Sequence, residues 1–279
     1  MEALMRSLGI VSPNFGGSTV FGHMLGGYEG LSHVGEIHKV YSGRESTCRE
    51  CGDSCPSFTP ENVAKIRKLE SPIYNKCADI LGHDVLVTGD KNPYFYDKTT
   101  GIPDSLVVLL KNPMAHTYSF YTRALKQSFH SYSDEFKWLK FKESALTYYT
   151  TLVDRVAWAS EIKAQRGVPV HVISFEEFID LDDAGKTKLA ESWLGGRKYD
   201  SSRLKSQSHY IAGNHKISNG GNAKGIRFFK GAFKRDDRYT SEFSEEKFGD
   251  LKRDLNEFLE LKKYLERLDI LTGVKWLGV

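Results

Sequence analysis

Short apolar runs alternate with amphipathic stretches along most of the chain. Four runs are rich in Val, Ile or Leu and are bounded by Gly, Pro or charge, which predicts buried parallel strands at Ser7–Val11, 84–88, 106–110 and 168–173. Helical spacing between these runs predicts helices over Ser18–Leu25, 113–126 and 143–166, the last ending before Gly167. Strands that alternate with helices indicate an α/β fold, with a central parallel β-sheet flanked by helices.

The remaining segments predict a packing helix and two long loops. Apolar residues recur at helical spacing over 244–268, and Ser244 is a plausible N-cap. We expect this helix to pack on the core, although such a stripe is also compatible with partner binding. Polar stretches without a period at 39–60 and 199–240 predict lids or substrate loops. Because no linker divides the chain, we expect one domain over 1–279.

Composition narrows the possible partners. The chain has 279 residues, of which 39 are Lys or Arg and 36 are Asp or Glu, and a net charge of +3 argues against nucleic acid or an anionic membrane. The first apolar run is too short for a signal peptide, and no window reaches the roughly 20 apolar residues of a membrane span. We expect a cytoplasmic protein with reduced thiols, acting on a small molecule.

A glycine-rich turn joins the first predicted strand to the first predicted helix. It reads Asn14-Phe15-Gly16-Gly17-Ser18-Thr19. Glycines let the backbone approach a ligand, and a helix N-terminus offers unpaired N–H groups and a partial positive charge. This pattern suits phosphate or sulfate, and an ordinary strand-to-helix turn is the alternative. The Gly-Lys-Ser/Thr of a Walker loop is missing, which argues against a Mg²⁺-dependent ATPase.

A second group of polar residues follows the third predicted strand. Lys111 leaves the carboxyl end of that strand, where open α/β sheets bind ligands. Ser119 and Arg123 lie four residues apart on the next helix and therefore on one face. A lysine, a hydroxyl and an arginine that converge there suit a second phosphate, although a solvated helix face has the same composition.

Together these motifs resemble those of sulfotransferases that use 3′-phosphoadenosine 5′-phosphosulfate (PAPS). In that family, a strand–loop–helix similar to 13–21 holds the 5′-phosphosulfate. A basic residue–Asp/Asn–Pro segment, followed by a helix with Ser eight residues on, holds the 3′-phosphate; Lys111-Asn112-Pro113 with Ser119 matches that spacing. Arg123 falls where some members, such as the tyrosylprotein type, place another phosphate-binding arginine.

The resemblance implies the sulfotransferase fold, a P-loop-kinase-like α/β fold, and PAPS as cofactor with no required metal. It implies transfer of a sulfuryl group to a hydroxyl or amine acceptor, such as a small natural product. Two positions depart from the family. Phe15 stands where a Lys or Arg is usual, and Lys111 replaces the usual Arg, which keeps the charge but loses bidentate geometry.

Two further segments supply candidates for the chemistry. The stretch 33–39 resembles the Gly-Glu segment of tyrosylprotein and several bacterial sulfotransferases, which implies Glu36 as the base. His38 is the reserve, since histidine exchanges protons near neutral pH. The alternative is that Glu36 caps a turn and His38 is a surface residue. The stretch 89–95 is similar to a Lys-containing segment of heparan and tyrosylprotein sulfotransferases, which implies that Lys91 contacts the sulfuryl group rather than solvent alone.

Two other features supply candidate residues for nucleotide binding and for metal binding. Tyr210, Arg227 and Lys230 lie where the family carries a basic loop over the nucleotide. Four cysteines, Cys48, Cys51, Cys55 and Cys77, are either reduced thiols packed in a lid or a structural Zn²⁺ site. Two alternative functions remain beside sulfuryl transfer: a small-molecule kinase of related fold and a non-catalytic protein that binds 3′-phosphoadenosine 5′-phosphate (PAP).

Overall fold

Five parallel strands form one sheet at the centre of the fold. The computed structural model describes residues 5–49, 51–124, 132–205, 209 and 240–241. The strands lie in the order β2-β3-β1-β4-β5, and every neighbouring pair is parallel. They are β1 (Ser7–Val11), β2 (Leu31–Gly35), β3 (Val85–Lys91), β4 (Ser105–Leu110) and β5 (Val170–Ser174). The predicted parallel sheet flanked by helices is therefore confirmed.

Helices fill the connections between the strands. They are α1 (Ser18–Leu25), α2 (Ile37–Tyr41), α3 (Pro60–Arg67), α4 (Tyr74–Leu81), α5 (Pro93–Phe95), α6 (Pro113–Ser119), α7 (Asp134–Arg166), α8 (Phe175–Asp180) and α9 (Asp183–Ala190). Wider π-helical turns follow α5 and α6, at Tyr96–Thr100 and Phe120–Ala124, and a 3-10 turn spans Ser201–Lys205. Over the described part of the chain, none of these helices is long and apolar enough to cross a membrane.

Within the described residues, the predicted strands and helices all have observed counterparts, but the helices α2 to α5, α8 and α9 were not predicted. β2 was not predicted, because Leu31 and Val34 are the only strongly apolar side chains in its five residues. α7 begins at Asp134 rather than at 143, since the side chain of Ser133 caps it by accepting a hydrogen bond from the N–H of Phe136. α6 ends at Ser119. The predicted helix 244–268 lies outside the described residues.

Two apolar clusters cover the two faces of the sheet, because successive strand side chains point to opposite faces. On one face, Val108 and Leu110 of β4 pack with α3, α4 and α7. On the other face, Val107 and Leu109 of the same strand pack with α1 and α8. The sheet is thus buried on both sides, and its carboxyl edge remains for a ligand.

The strand order places a switch point beside β1. From β1 the chain moves outward to β2 and back to β3, and it then crosses to β4 on the other side of β1. Val11, the last residue of β1, lies between Lys91 of β3 and Val108 of β4. Open α/β sheets bind ligands in the crevice that forms where connections diverge in this way. The turns after β1 and β4 border that crevice.

Candidate active site

The turn after β1 leads directly into the N-terminus of α1. The N–H of Gly16 donates to the carbonyl of Pro13 at 3.1 Å, and Gly17 takes the N-cap position with φ of 85°. Among the described residues, no side chain caps α1, and its first turn contains no acidic residue. The first N–H groups of α1 therefore keep their capacity to bind an anion, with the hydroxyl residues Ser18 and Thr19 beside them.

Glycine is required at two positions of this turn. A Cβ on Gly16 would lie 2.9 Å from the carbonyl oxygen of Pro13. A Cβ on Gly17 would lie 3.0 Å from the ring of Phe175, at a φ that side chains rarely adopt. The packing of the turn itself therefore requires both glycines.

Backbone strain is concentrated at the same edge of the sheet. Two described residues other than glycine have a positive φ, Phe15 at 65° and Lys91 at 63°. Such conformations cost about 1–3 kcal/mol each and tend to occur at functional sites. The ring of Phe15 packs edge-on against Phe120 with centroids 5.7 Å apart. Phe15 is thus a packing residue of the turn.

Glu36 forms ion pairs with two lysines instead of capping α2. Its Oε1 lies 2.6 Å from Nζ of Lys91, and its Oε2 lies 2.7 Å from Nζ of Lys39. Burial alone would raise the pKa of Glu36, but the charges and hydrogen bonds of the two lysines outweigh it and lower the pKa to about 2. The carboxylate is therefore charged at neutral pH.

Lys91 connects this ion pair to the glycine-rich turn. The residue ends β3, and its carbonyl accepts hydrogen bonds from the N–H of Ser12 at 3.4 Å and from the guanidinium of Arg155 at 3.2 Å. Its side chain is 16 % exposed. The structure thus places Lys91 in a partly buried ion pair beside the start of the turn, not in a solvated loop.

His38 contacts a buried carboxylate that the sequence analysis did not select. Its Nδ1 lies 2.7 Å from Oδ1 of Asp90, whose Oδ2 accepts a hydrogen bond from the hydroxyl of Tyr74 at 2.7 Å. The imidazole also stacks on Phe95 at 3.7 Å. His38 is buried rather than on the surface, and Asp90 fixes its ring orientation. The signal for Asp90 was a charged residue at the end of a buried strand.

Lys111 and Ser119 meet across the turn from β4 to α6. Nζ of Lys111 donates to Oγ of Ser119 at 3.1 Å, and both side chains are buried. Asn112 caps α6 by accepting hydrogen bonds from the N–H groups of Met114 and Ala115, which aligns the helix that carries Ser119. The predicted pair is therefore brought together at the carboxyl end of β4. The side chain of Arg123 and the residues Tyr210, Arg227 and Lys230 lie outside the described part.

His116 and a cavity adjoin the glycine-rich turn after β1. Burial lowers the pKa of His116 to about 4, so its ring is neutral at pH 7 and Nε2–H donates to the carbonyl of Asn14 at 2.7 Å. A cavity of about 420 Å³ opens next to these two residues. It is lined by Pro13, Asn14, His116, Phe120, Tyr121, Glu143, Ser144, Thr147, Tyr148, Thr151 and Arg155. Its volume is in the range of small-molecule sites.

The cysteines form a different cluster from the predicted one. In the described residues, the donor atoms of Cys48, Cys51, Cys55 and His209 all lie within 4.8 Å of one another. Cys77 is not part of the group, because α4 holds it fully buried in the core. His209 takes its place, which the sequence could not indicate at a separation of more than 150 residues.

The comparisons with known proteins give likenesses to solved structures alone. No protein-family model and no curated protein matches the chain. Among solved structures, the chain is similar to a sulfotransferase from Alicyclobacillus acidocaldarius, with a TM-score of 0.45, 15 % sequence identity and 97 % of each chain covered. A similarity of this size concerns the fold and assigns no residue of the site.

Proposed function

We propose that this protein is a PAPS-dependent sulfotransferase. The observation that carries the proposal is the buried Lys111–Ser119 pair, which lies across the switch point from the uncapped N-terminus of α1. PAPS carries a 5′-phosphosulfate and a separate 3′-phosphate, so it needs two anion sites with a ribose between them. A nucleoside triphosphate, whose phosphates are contiguous, needs one longer site.

Each of the two anion sites binds a different phosphate group of the nucleotide. The backbone N–H groups at the start of α1 and the hydroxyls of Ser18 and Thr19 bind the 5′-phosphosulfate. Lys111 and Ser119 bind the 3′-phosphate, with Arg123 as a third donor. The ribose and adenine lie across the carboxyl ends of β1 and β4, which adjoin each other.

Glu36 and Lys91 act on the group in transfer. The acceptor oxygen forms a bond to sulfur while the bond from sulfur to the 5′-phosphate oxygen breaks, and PAP leaves. Glu36 accepts the proton of the acceptor hydroxyl. A carboxylate with a pKa near 2 is a weak base, but the sulfuryl oxygens compete for Lys91 and so weaken the ion pair that lowers this pKa. Lys91 in turn supplies the cation that Phe15 does not.

His38 is the second candidate for the base. The contact between its Nδ1 and Asp90 at 2.7 Å favours it, because a carboxylate that accepts a hydrogen bond from Nδ1–H orients the ring and leaves Nε2 as the proton-accepting atom. Substitution distinguishes the two candidates. If Glu36 is the base, Glu36→Gln removes it; if His38 is the base, His38→Asn removes it.

The cavity beside Asn14 receives the acceptor. Aromatic rings of Phe120 and Tyr121 line it together with the polar side chains of Glu143 and Thr147, a combination that suits a small molecule with an apolar body and a hydroxyl or amine. Arg155 lines the cavity and also contacts the carbonyl of Lys91. The acceptor site and the ion pair are therefore neighbours.

Two measurements test the proposal. Incubation of the protein with ³⁵S-labelled PAPS and a panel of alcohols, phenols, sugars and amines is expected to give labelled product from at least one class. Calorimetry is expected to show binding of PAP without metal and weaker binding of ATP with Mg²⁺. Tighter binding of ATP with Mg²⁺ and transfer of its γ-phosphate would favour the kinase. Binding of PAP without turnover of any acceptor would favour a non-catalytic protein.

A further inference from the structure

Three thiols and one imidazole converge at a point outside the proposed active site. Sγ of Cys51 lies 3.1 Å from Nδ1 of His209, and Sγ of Cys55 lies 3.4 Å from the same atom. A tetrahedral zinc ion with Zn–S near 2.3 Å and Zn–N near 2.0 Å has donor atoms about 3.5–3.8 Å apart. All four donor atoms lie within 4.8 Å of one another, so shifts of up to about 1 Å bring them to these separations.

The loop that carries the cysteines is already folded around this point. The N–H of Gly52 donates to the carbonyl of Cys48 at 3.1 Å, and Gly52 has φ of 65°, so the chain turns sharply after Cys51. The hydroxyl of Ser54 donates to the carbonyl of Cys51 at 2.9 Å. These bonds fix the backbone on both sides of Cys51 before any ion binds.

One sulfur also has an outer partner of the kind that metal-bound thiolates use. The N–H of Phe58 points to Sγ of Cys55 at 3.4 Å. Hydrogen bonds from backbone N–H groups orient metal ligands and stabilise the charge of a thiolate. Cys48 and Cys55 are buried, and Cys51 and His209 are half-buried, so the cluster is partly shielded from solvent.

We propose that Cys48, Cys51, Cys55 and His209 bind one structural zinc ion. A set of three sulfurs and one nitrogen in tetrahedral arrangement selects Zn²⁺ over the hard cations Mg²⁺ and Ca²⁺. Four protein ligands close the coordination shell, so the ion holds structure and takes no part in catalysis. Binding releases the thiol protons and leaves three thiolates and a neutral imidazole around the ion.

The ion joins two distant parts of the chain. The cysteine loop follows α2, which begins immediately after Glu36, and His209 immediately precedes Tyr210. The ligands are separated by 154 and 158 residues along the chain for the two measured contacts. A cross-link of this span limits the conformations of the unfolded chain and holds His209 against the cysteine loop.

Metal analysis of the full-length protein tests the proposal. We expect about one zinc ion per chain after purification under reducing conditions, and at least a roughly tenfold lower content in Cys51→Ser and in His209→Gln. Cys77→Ala is the matched control, because Cys77 is buried in the core and outside the cluster, and it should keep its zinc. Equal loss of zinc from Cys77→Ala and Cys51→Ser would overturn the assignment.

Cobalt substitution tests the ligands without a variant, in case a substituted protein fails to fold. Wild-type protein exchanged with Co²⁺ should show the intense visible bands of a tetrahedral site and a sulfur-to-cobalt charge-transfer band. Zn²⁺ added afterwards should abolish both. A weak octahedral spectrum would overturn the proposal, as would a zinc content below about 0.1 per chain in wild-type protein reconstituted with Zn²⁺.

Discussion

Oε1 of Glu36 lies 2.6 Å from Nζ of Lys91, so an ion pair joins the carboxyl ends of β2 and β3. Both side chains are mostly buried, at 12 % and 16 % exposed. The charges of a pair with this little solvent interact more strongly than those of a surface salt bridge, and the lysine lowers the pKa of the carboxyl group. The lysine thus keeps the carboxylate charged until another anion competes for it.

Replacing Glu36 by Gln is expected to lower kcat by a factor of roughly 10²–10⁴, the usual contribution of a general base. Gln keeps the shape of the side chain and removes its proton affinity. Because the carboxylate does not contact the nucleotide in the proposed complex, PAP affinity should change by less than about threefold. Steady-state kinetics with the best acceptor, together with calorimetry on PAP, measures both quantities.

An exposed glutamate provides the control. Glu61 also pairs with a lysine, Lys65, but it lies on α3, and Glu61→Gln should leave kcat unchanged. Full activity of Glu36→Gln would exclude Glu36 as the base. His38→Asn should then show the loss instead, because Asn removes the proton acceptor that Asp90 orients.

The same ion pair predicts how stability depends on pH. The pKa of Glu36 falls from an ordinary value of 4.5 to about 2 on folding, so the folded state favours the carboxylate. The resulting stabilisation is present above pH 4.5 and is lost as pH falls towards 2. The difference in unfolding free energy between wild type and Glu36→Gln should shrink by roughly 3 kcal/mol over that interval.

Denaturant titrations of both proteins across this pH range measure the difference directly. Other carboxylates titrate in the same interval, but they are common to the two proteins and cancel in the comparison. A difference that stays constant from about pH 6 to about pH 2 would show that Glu36 has an ordinary pKa.

The sequence predicted the fold wherever the apolar pattern was strong. β1 and α1 have the predicted bounds, because five buried residues end at Val11, shortly before Pro13, and the glycine pair marks the start of the helix. β2 was not predicted, since Ser32 and His33 interrupt the apolar pattern of a strand of only five residues. Its position in the sheet comes from pairing with β3, which is a long-range contact that local periodicity does not contain.

The sequence could indicate individual residues of the candidate site, but not the contacts between residues that are distant along the chain. The sequence placed Lys111 and Ser119 on one strand–helix unit, and the resemblance to sulfotransferases paired them. In contrast, the contact of His38 with Asp90 spans 52 residues and that of Cys51 with His209 spans 158. Such pairs form only when separate strands or loops meet in three dimensions.

The Lys111–Ser119 pair predicts selectivity for a 3′-phosphate. Lys111→Met should weaken PAP binding by roughly 30-fold, equivalent to about 2 kcal/mol, the usual contribution of a hydrogen bond to a charged group. Adenosine 5′-monophosphate lacks the 3′-phosphate, and its affinity should change by less than about threefold. Calorimetry with the two nucleotides measures the ratio.

Lys98→Met is the control for this prediction, because Lys98 is an exposed lysine in the π-helical turn Tyr96–Thr100 and is not part of the turn from β4 to α6. It should leave both affinities unchanged. Equal weakening of PAP and adenosine 5′-monophosphate by Lys111→Met would place Lys111 at the 5′ end of the nucleotide, or would indicate a general loss of structure.

Filling the cavity beside the turn should affect the acceptor and spare the nucleotide. Thr147 is an exposed residue of α7 that lines the cavity, and Thr147→Trp should raise the KM for the acceptor by roughly tenfold by occupying its volume. Glu161→Trp places the same side chain at an exposed position of α7 outside the cavity and should change nothing. An unchanged KM in Thr147→Trp would move the acceptor site elsewhere.

Substitutions at two glycines with positive φ distinguish the cost of the backbone conformation from the cost of steric contact at the turn. Gly17 has φ of 85° and would place a Cβ 3.0 Å from the ring of Phe175, whereas Gly82 has φ of 70° with nothing within 4 Å of a Cβ. Gly82→Ala should cost about 1 kcal/mol of unfolding free energy from the backbone alone. Gly17→Ala should cost more, because the ring must also move, and it should weaken PAP binding since the N–H groups of α1 shift with the turn. Chemical denaturation and calorimetry measure the two effects. Equal stability loss in both variants, with PAP affinity retained, would mean that the turn neither packs on Phe175 nor binds the phosphosulfate.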